Sequence, residues 1–116
     1  MSDQPAIRIE VEDRDDVVIA RVIGDAGLAN VDTLSSEMMR LSARHIPVTV
    51  FDMSDLAFAC SLAIGTFIQY HQGVRNHNGT AHFCCFNDQI SQALSKANLG
   101  LVLNVHSTID EALSSV

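Results

Sequence analysis

The sequence predicts an α/β fold. It is expected to be a single domain with a five-stranded, mostly parallel mixed sheet and four helices, in the order β-β-α-β-α-β-α-β-α. Three observations predict it. Apolar residues alternate at period two in the opening segments, then change to helical spacing after Asn30. From there strand-like and helix-like stretches take turns, the pattern of crossover connections between parallel strands. The chain has 116 residues, 47% of them hydrophobic, enough for one continuous core and too few for two. One domain over residues 1–116 is therefore expected, without repeat, low-complexity tract or linker.

Each element has its own justification. Ala6–Val11 (AIRIEV) alternates apolar and charged residues, as a half-exposed strand does. The charged cluster EDRDD reads as a turn. Val17–Ile23 (VVIARVI) is β-branched and mostly apolar, a more buried strand paired with the first as a hairpin. Gly24 and Gly27 break it. Val31, Leu34, Met38 and Leu41 share one helix face, with Asn30 or Asp32 as N-cap. Val48–Met53 (VTVFDM) carries little polarity before Asp52, as a strand buried on both faces does.

The second long helix follows Ser61, with Ala63, Phe67, Tyr70 and Val74 on one face and Ile64 and Ile68 widening the stripe. NHNG is a turn signal. Thr80–Phe86 (TAHFCCF) is the fourth strand, and DQISQALSKANL the third helix with Asp88 as its cap. Gly100–Val105 (GLVLNV) is a short fifth strand. The closing helix, STIDEALSSV, has Ser107 or Thr108 as cap and places Asp110 and Glu111 where the helix dipole favours them.

Composition excludes several function classes. A formal charge of −7 repels nucleic acid and anionic lipid surfaces, so a protein partner with a basic patch is the better match. No apolar run is long enough for a membrane span, and MSDQPAIRIE has neither the basic nor the apolar region of a signal peptide. The three cysteines, Cys60, Cys84 and Cys85, are odd in number and form no CxxC. Neighbours on a strand point to opposite faces, so Cys84 and Cys85 are expected not to cooperate. Reduced thiols and a cytoplasmic setting follow.

No catalytic constellation stands out. HQGVRNHNGTAHFCC holds His71, His77, His82, Cys84 and Cys85, but the spacing matches no closed zinc pattern. These residues read as an exposed helix-end histidine, a turn histidine and small strand residues. Cys60 and Cys84 lie in no nucleophile turn, and no GxGxxG or P-loop lysine motif is present. A small cysteine or metal enzyme built around His82 and Cys84 is the weakest alternative. No enzyme activity, metal or cofactor is expected.

The junction FDMSDLAFACSLAIG is the most informative stretch. Ser61 falls at a helix start, where amide groups lack intrahelical partners and the dipole is positive. It suits either a plain N-cap serine or a phosphorylation site. The chain resembles the STAS domain, the fold of bacterial anti-sigma-factor antagonists, across roughly residues 17–116. VVIARVIGDAG is similar to the family's second strand and Gly-acidic loop. VTVFDMSDLAFACSLAIGTFIQ is similar to its signature strand, serine and apolar helix, with Asp52 and Ser54 at the strand end and Phe58 as the aromatic. IDEALSSV is similar to its closing helix.

The resemblance implies a non-enzymatic regulatory module that binds an anti-sigma factor, itself a serine kinase, and is switched by phosphorylation of Ser61. It implies a partner surface at Gly24, Asp25, Phe58, Cys60, Ser61, Leu62 and Ala63. The usual D-S-S-G stands here as Cys60-Ser61-Leu62-Ala63, and Gly27 stands where many members carry an aspartate. These departures support an alternative, an unswitched scaffold subunit of a stressosome, transporter or lipid-transport complex. An exposed edge strand would permit a homodimer.

Overall fold

The computed structural model describes residues 7–100 and 102–115. Ala6, Leu101 and Val116, which the sequence assigns to two strands and the last helix, lie outside the described residues, as do residues 1–5 of the expected domain. The elements run β1 (Arg8–Arg14), β2 (Val17–Ala26), α1 (Val31–Ser42), β3 (Val48–Asp52), β4 (Leu56–Ala59), α2 (Ser61–Arg75), β5 (Thr80–Cys84), α3 (Asp88–Lys96), β6 (Val105–His106) and α4 (Ile109–Ser114), with a 3₁₀ turn at Leu28–Asn30. The domain is α/β, with four helices on a mixed sheet.

Strand order is β1-β2-β3-β5-β6. Among the described residues only β1 and β2 pair antiparallel, from Arg8↔Ile23 to Arg14↔Val17. The pairs β2/β3, β3/β5 and β5/β6 are parallel, as crossover helices require. Several details differ from the sequence-based expectation: β1 runs on to Arg14 through part of the cluster read as a turn, β2 extends to Ala26, and β5 ends at Cys84 rather than Phe86. Leu56–Ala59 forms a further short strand, pairing parallel with the far end of β2 beyond the reach of β3. Only four residues long and half exposed, it carries too little alternation to be read as a strand. Conversely, residues 102–104 of the expected fifth strand form a turn, with Asn104 at φ 52°, and pairing begins at Val105.

Alternation along the strands fills two cores. Val18, Ala20 and Val22 of β2, Phe51 of β3, and Ala81 and Phe83 of β5 face α1 and α2. There Leu34, Met38 and Leu41 meet Ala63, Phe67, Tyr70 and Val74, with Ile90 and Leu94 of α3 extending the cluster. Phe51 stacks on Phe83 with ring centroids 4.9 Å apart and meets Tyr70 edge-on at 4.9 Å. The opposite face is smaller: Ile19, Val50 and Cys84 are covered by Ala112, with Ile109 and Leu113 alongside. β3 is thus covered on both sides. Its one buried hydroxyl, Thr49, shares a 2.9 Å hydrogen bond with the Tyr70 hydroxyl.

Two helix caps differ from expectation. Asn87, not Asp88, caps α3, its side chain accepting from the Ile90 amide at 2.9 Å. Asn30 does precede α1, but its side chain turns away and donates to the Asp25 carbonyl at 2.7 Å. Thr108 caps α4 through the Glu111 amide, and Glu111 accepts in return from the Ser107 amide.

The turn after α2 is tight enough to require glycine. A Cβ at Gly79 would sit 2.9 Å from the Ile46 carbonyl oxygen and 3.1 Å from that of Val74. We expect Gly79→Ala to lower unfolding stability by about 1–3 kcal/mol through overpacking, and Phe83→Ala by about 3–5 kcal/mol through the cavity it leaves. Urea denaturation followed by far-UV circular dichroism measures both.

Candidate functional site

The site forms where β2, β4 and α2 meet, at the carboxyl end of the parallel strands. Gly24 has φ 122°, a left-handed value open to glycine, and the β2/β4 register shifts there. The shift carries the chain from its partner β3 onto β4, placing Asp25 opposite Phe58 and Ala26 opposite Ala59. The Cys60 amide then donates to the Ala26 carbonyl at 3.0 Å, bringing the start of α2 beside the loop after β2. The Asp25 side chain accepts from the Gly27 amide at 2.8 Å, closing that loop into a turn. A Cβ at Gly27 would lie 2.9 Å from the same Asp25 oxygen and 3.8 Å from the Phe58 ring, so the loop and β4 are in close contact.

Ser61 is the first residue of α2, and Cys60 is its N-cap. No side-chain hydrogen bond closes this helix start. The first intrahelical bond runs from the Ile64 amide to the Cys60 carbonyl, so the amides of residues 61–63 have no partner within the helix. Ser61 is exposed, and because Cys60 holds the cap position the simpler reading of this serine as the cap does not apply.

Around it two large apolar side chains face outward, Phe58 at 43% and Leu62 at 58% exposure. Leu28, in the loop after β2, is 75% exposed at the same end. The sequence reading missed Leu28. Its signal was an isolated apolar residue between glycine and asparagine in a loop, where no core could use it. Asp25 is exposed, and Gly24 and Cys60 are half-buried. Ala63 is fully buried, so its methyl group packs into the core and cannot face a partner, contrary to its expected place on this surface.

Asp52, at the end of β3, is 4% exposed, accepts from the Ser54 amide at 3.0 Å and faces Arg21 at 3.5 Å. These contacts fold the chain back between β3 and β4. Asn87 holds the same region from the other side, donating to the carbonyls of Leu56 and Ala57 at 3.3 and 3.2 Å.

The reactive residues of the central segment are arranged differently from expectation. His71 is buried inside the last turns of α2 rather than exposed. His82 is equally buried, with Nδ1 3.1 Å from Nε2 of His106. Burial lowers the pKa of both His71 and His82, with Arg75 adding to the effect at His71 and His106 at His82. Only His77 lies in an exposed turn, stacked on His45. Cys84 and Cys85 do meet. β5 ends at Cys84, and Cys85, at φ 69°, turns its side chain back so that the two sulfurs lie 3.3 Å apart. The rule of opposite faces fails because Cys85 is not in the strand.

With this geometry in place, the comparisons are informative. The chain belongs to the STAS domain family, whose model matches residues 8–112. No curated protein matches it. Among solved structures it is similar to an anti-sigma factor antagonist from Mycobacterium paratuberculosis, with 21% identity over 96% of this chain and 94% of that one, and a TM-score of 0.86. It is similar to the anti-sigma factor antagonist SpoIIAA in its unphosphorylated form, with 16% identity over 95% of both chains and a TM-score of 0.73. It also resembles the Bacillus cell fate determinant SpoIIAA in its phosphorylated form, with 14% identity over 95% of this chain and 98% of that one, and a TM-score of 0.68. At these identities the likeness is one of fold. None of the described helices is long and apolar enough to cross a membrane.

The buried histidines give a pH dependence whose sign follows from linkage. The unfolded chain, with histidines near pKa 6.5, binds protons that the folded chain declines. Their contribution to stability is full above about pH 6.5 and is lost as pH falls through that value toward the lowered folded pKa values. We expect the urea midpoint to fall between pH 7.5 and 5.5, and His82→Gln to flatten part of that fall.

Proposed function

We propose that this STAS domain is a non-enzymatic protein-binding module of the anti-sigma-factor-antagonist kind. Its docking surface is the β2–β4–α2 junction, at Gly24, Asp25, Phe58, Cys60, Ser61 and Leu62, and its partner is an anti-sigma factor that is also a serine kinase. Phosphorylation of Ser61 in the cytoplasm ends the interaction. The observation that carries this reading is the exposed Ser61 at an uncapped helix start, flanked by the outward-facing Phe58 and Leu62.

The physical argument runs through charge and burial. A phosphate on Ser61 adds about −1.5 to −2 charges at neutral pH. At an exposed helix start this is mildly favourable, by about 0.3–1 kcal/mol, so the fold survives it. A partner covering Phe58 and Leu62 would instead face a dianion beside an apolar contact and could not remain docked. The modification therefore acts on binding without acting on folding. That SpoIIAA has been solved in both phosphorylated and unphosphorylated forms supports extending the switch to this chain.

One observation favours the second reading, an unswitched scaffold of a stressosome, transporter or lipid-transport complex. Cys60 occupies the cap position where the family carries an acidic residue, so no carboxylate precedes the serine.

The test uses the partner captured with the wild-type chain and identified by mass spectrometry. Ser61→Ala should bind it as wild type does and Ser61→Asp should bind at least about tenfold more weakly, the equivalent of 1.4 kcal/mol. Equal binding by the two variants refutes the switch, as does an unmodified Ser61 in protein isolated from cells where the kinase is active. Leu62→Asp should weaken the same complex by more than about 1 kcal/mol while leaving unfolding stability within about 0.5 kcal/mol, as titration calorimetry and urea melts would show.

A further inference from the structure

We infer that Cys84 and Cys85 form a chelating dithiol that captures trivalent arsenic, as the oxyacid or an organic arsenical, through two sulfur–arsenic bonds. The inference is independent of the docking surface and of any switch at Ser61. It starts from the turn at Cys85, whose left-handed backbone brings two consecutive thiols side by side with sulfurs 3.3 Å apart. The Asp52 carboxylate joins them, all three ligand atoms lying within 4.8 Å of one another.

Geometry selects the ligand class. Consecutive Cα atoms across a trans peptide are about 3.8 Å apart, below the roughly 4.4–6.8 Å that a disulfide spans without strain. The pair is therefore poorly built to close on itself. Two sulfurs 3.3 Å apart, each bonded at about 2.3 Å to a shared atom, subtend an angle there of about 90°. A tetrahedral zinc would ask for sulfurs about 3.8 Å apart, and a linear two-coordinate ion for about 4.6 Å, at the same bond length. An angle near 90° belongs to a pyramidal trivalent centre.

Proton balance points the same way. Burial, then Cys85, then Asp52 push the Cys84 thiol well above its ordinary range. A divalent cation must expel both thiol protons to bind there. Arsenous acid brings the acceptors with it: two As–O bonds break, two As–S bonds form, and each thiol proton leaves with a hydroxide as water. No oxidation state changes and no net charge is left in the site. Entry is through Cys85, half-buried on the wall of a cavity of about 330 Å³ that Phe86, His106 and Glu111 also line. Cys84, fully buried, closes the chelate from beneath.

The probe is phenylarsine oxide, added in equimolar amount to the full reduced chain and followed by native mass spectrometry. One adduct per chain with loss of one water is expected, removed by a small dithiol and resistant to an equal amount of monothiol. Cys85→Ser, at the accessible position, should weaken retention by about 100-fold or more, as loss of one of two linked contacts does. Cys60→Ser should leave it unchanged. An absent adduct, one that follows Cys60, or one retained by Cys85→Ser overturns the inference. So does stoichiometric retention of zinc from zinc chloride alone by a chain that takes no arsenical.

Discussion

The structure depends on one strand being apolar on both faces. β3 lies between β2 and β5, with Phe51 turned to the larger core and Val50 to the smaller. Because both faces are covered, a one-residue slip would carry Phe51 out of its stack with Phe83 and bring Asp52 into the core. The register of the parallel strands is therefore strongly specified, and with it the height at which β2 outruns β3. That overrun is what β4 pairs with. The position of Phe58, Cys60 and Ser61 is in this sense inherited from the packing of Phe51 and Val50, some distance away.

The carboxyl end of the sheet gathers most of the unusual local chemistry. Gly24 and Cys85 both take left-handed backbone there, and Asp52 lies buried between them in the sheet. Ligand sites of open α/β folds form at this end because the strands stop and the loops can diverge. Here the divergence is used twice. Toward β2 it presents an apolar rim and a hydroxyl. Toward β5 it turns two thiols together. Asn87 spans the two regions, its amide donating to β4 while its oxygen caps α3.

Much of the fold was legible in the sequence because long-period signals survive averaging. The heptad-like spacing of Leu34, Met38 and Leu41, and the nearly apolar run before Asp52, each need only burial to be right. The start of α2 was legible through the serine at the strand-to-helix junction. What could not be read depends on single backbone angles. β4 is four residues held by a bulge at Gly24, and neither its pairing nor its partner has a periodic signature. The Cys84–Cys85 contact rests on the strand ending at Cys84, two residues sooner than its β-forming composition suggests. His71 looked like a surface residue because it sits near a helix end, yet it falls one position after Tyr70 on a helix wide enough in contact to bury both. Asn87 was passed over for Asp88, because caps are chosen by the angle at which the chain enters the helix rather than by acidity.

The outer strand of the hairpin carries a last consequence. β1 is solvent-facing almost throughout, and four of its five charged side chains form two couples, Arg8 with Glu10 and Arg14 with Glu12, while the fifth, Asp13, pairs with Arg44. A free border of this kind would otherwise invite another backbone to zip onto it. Stripping water from two ion couples to let that happen is costly, so the border acts as a fence against runaway β-sheet growth. It also shapes how copies of the molecule can meet: a homodimer built by extending the sheet through β1 is disfavoured, and self-association would have to use a different face.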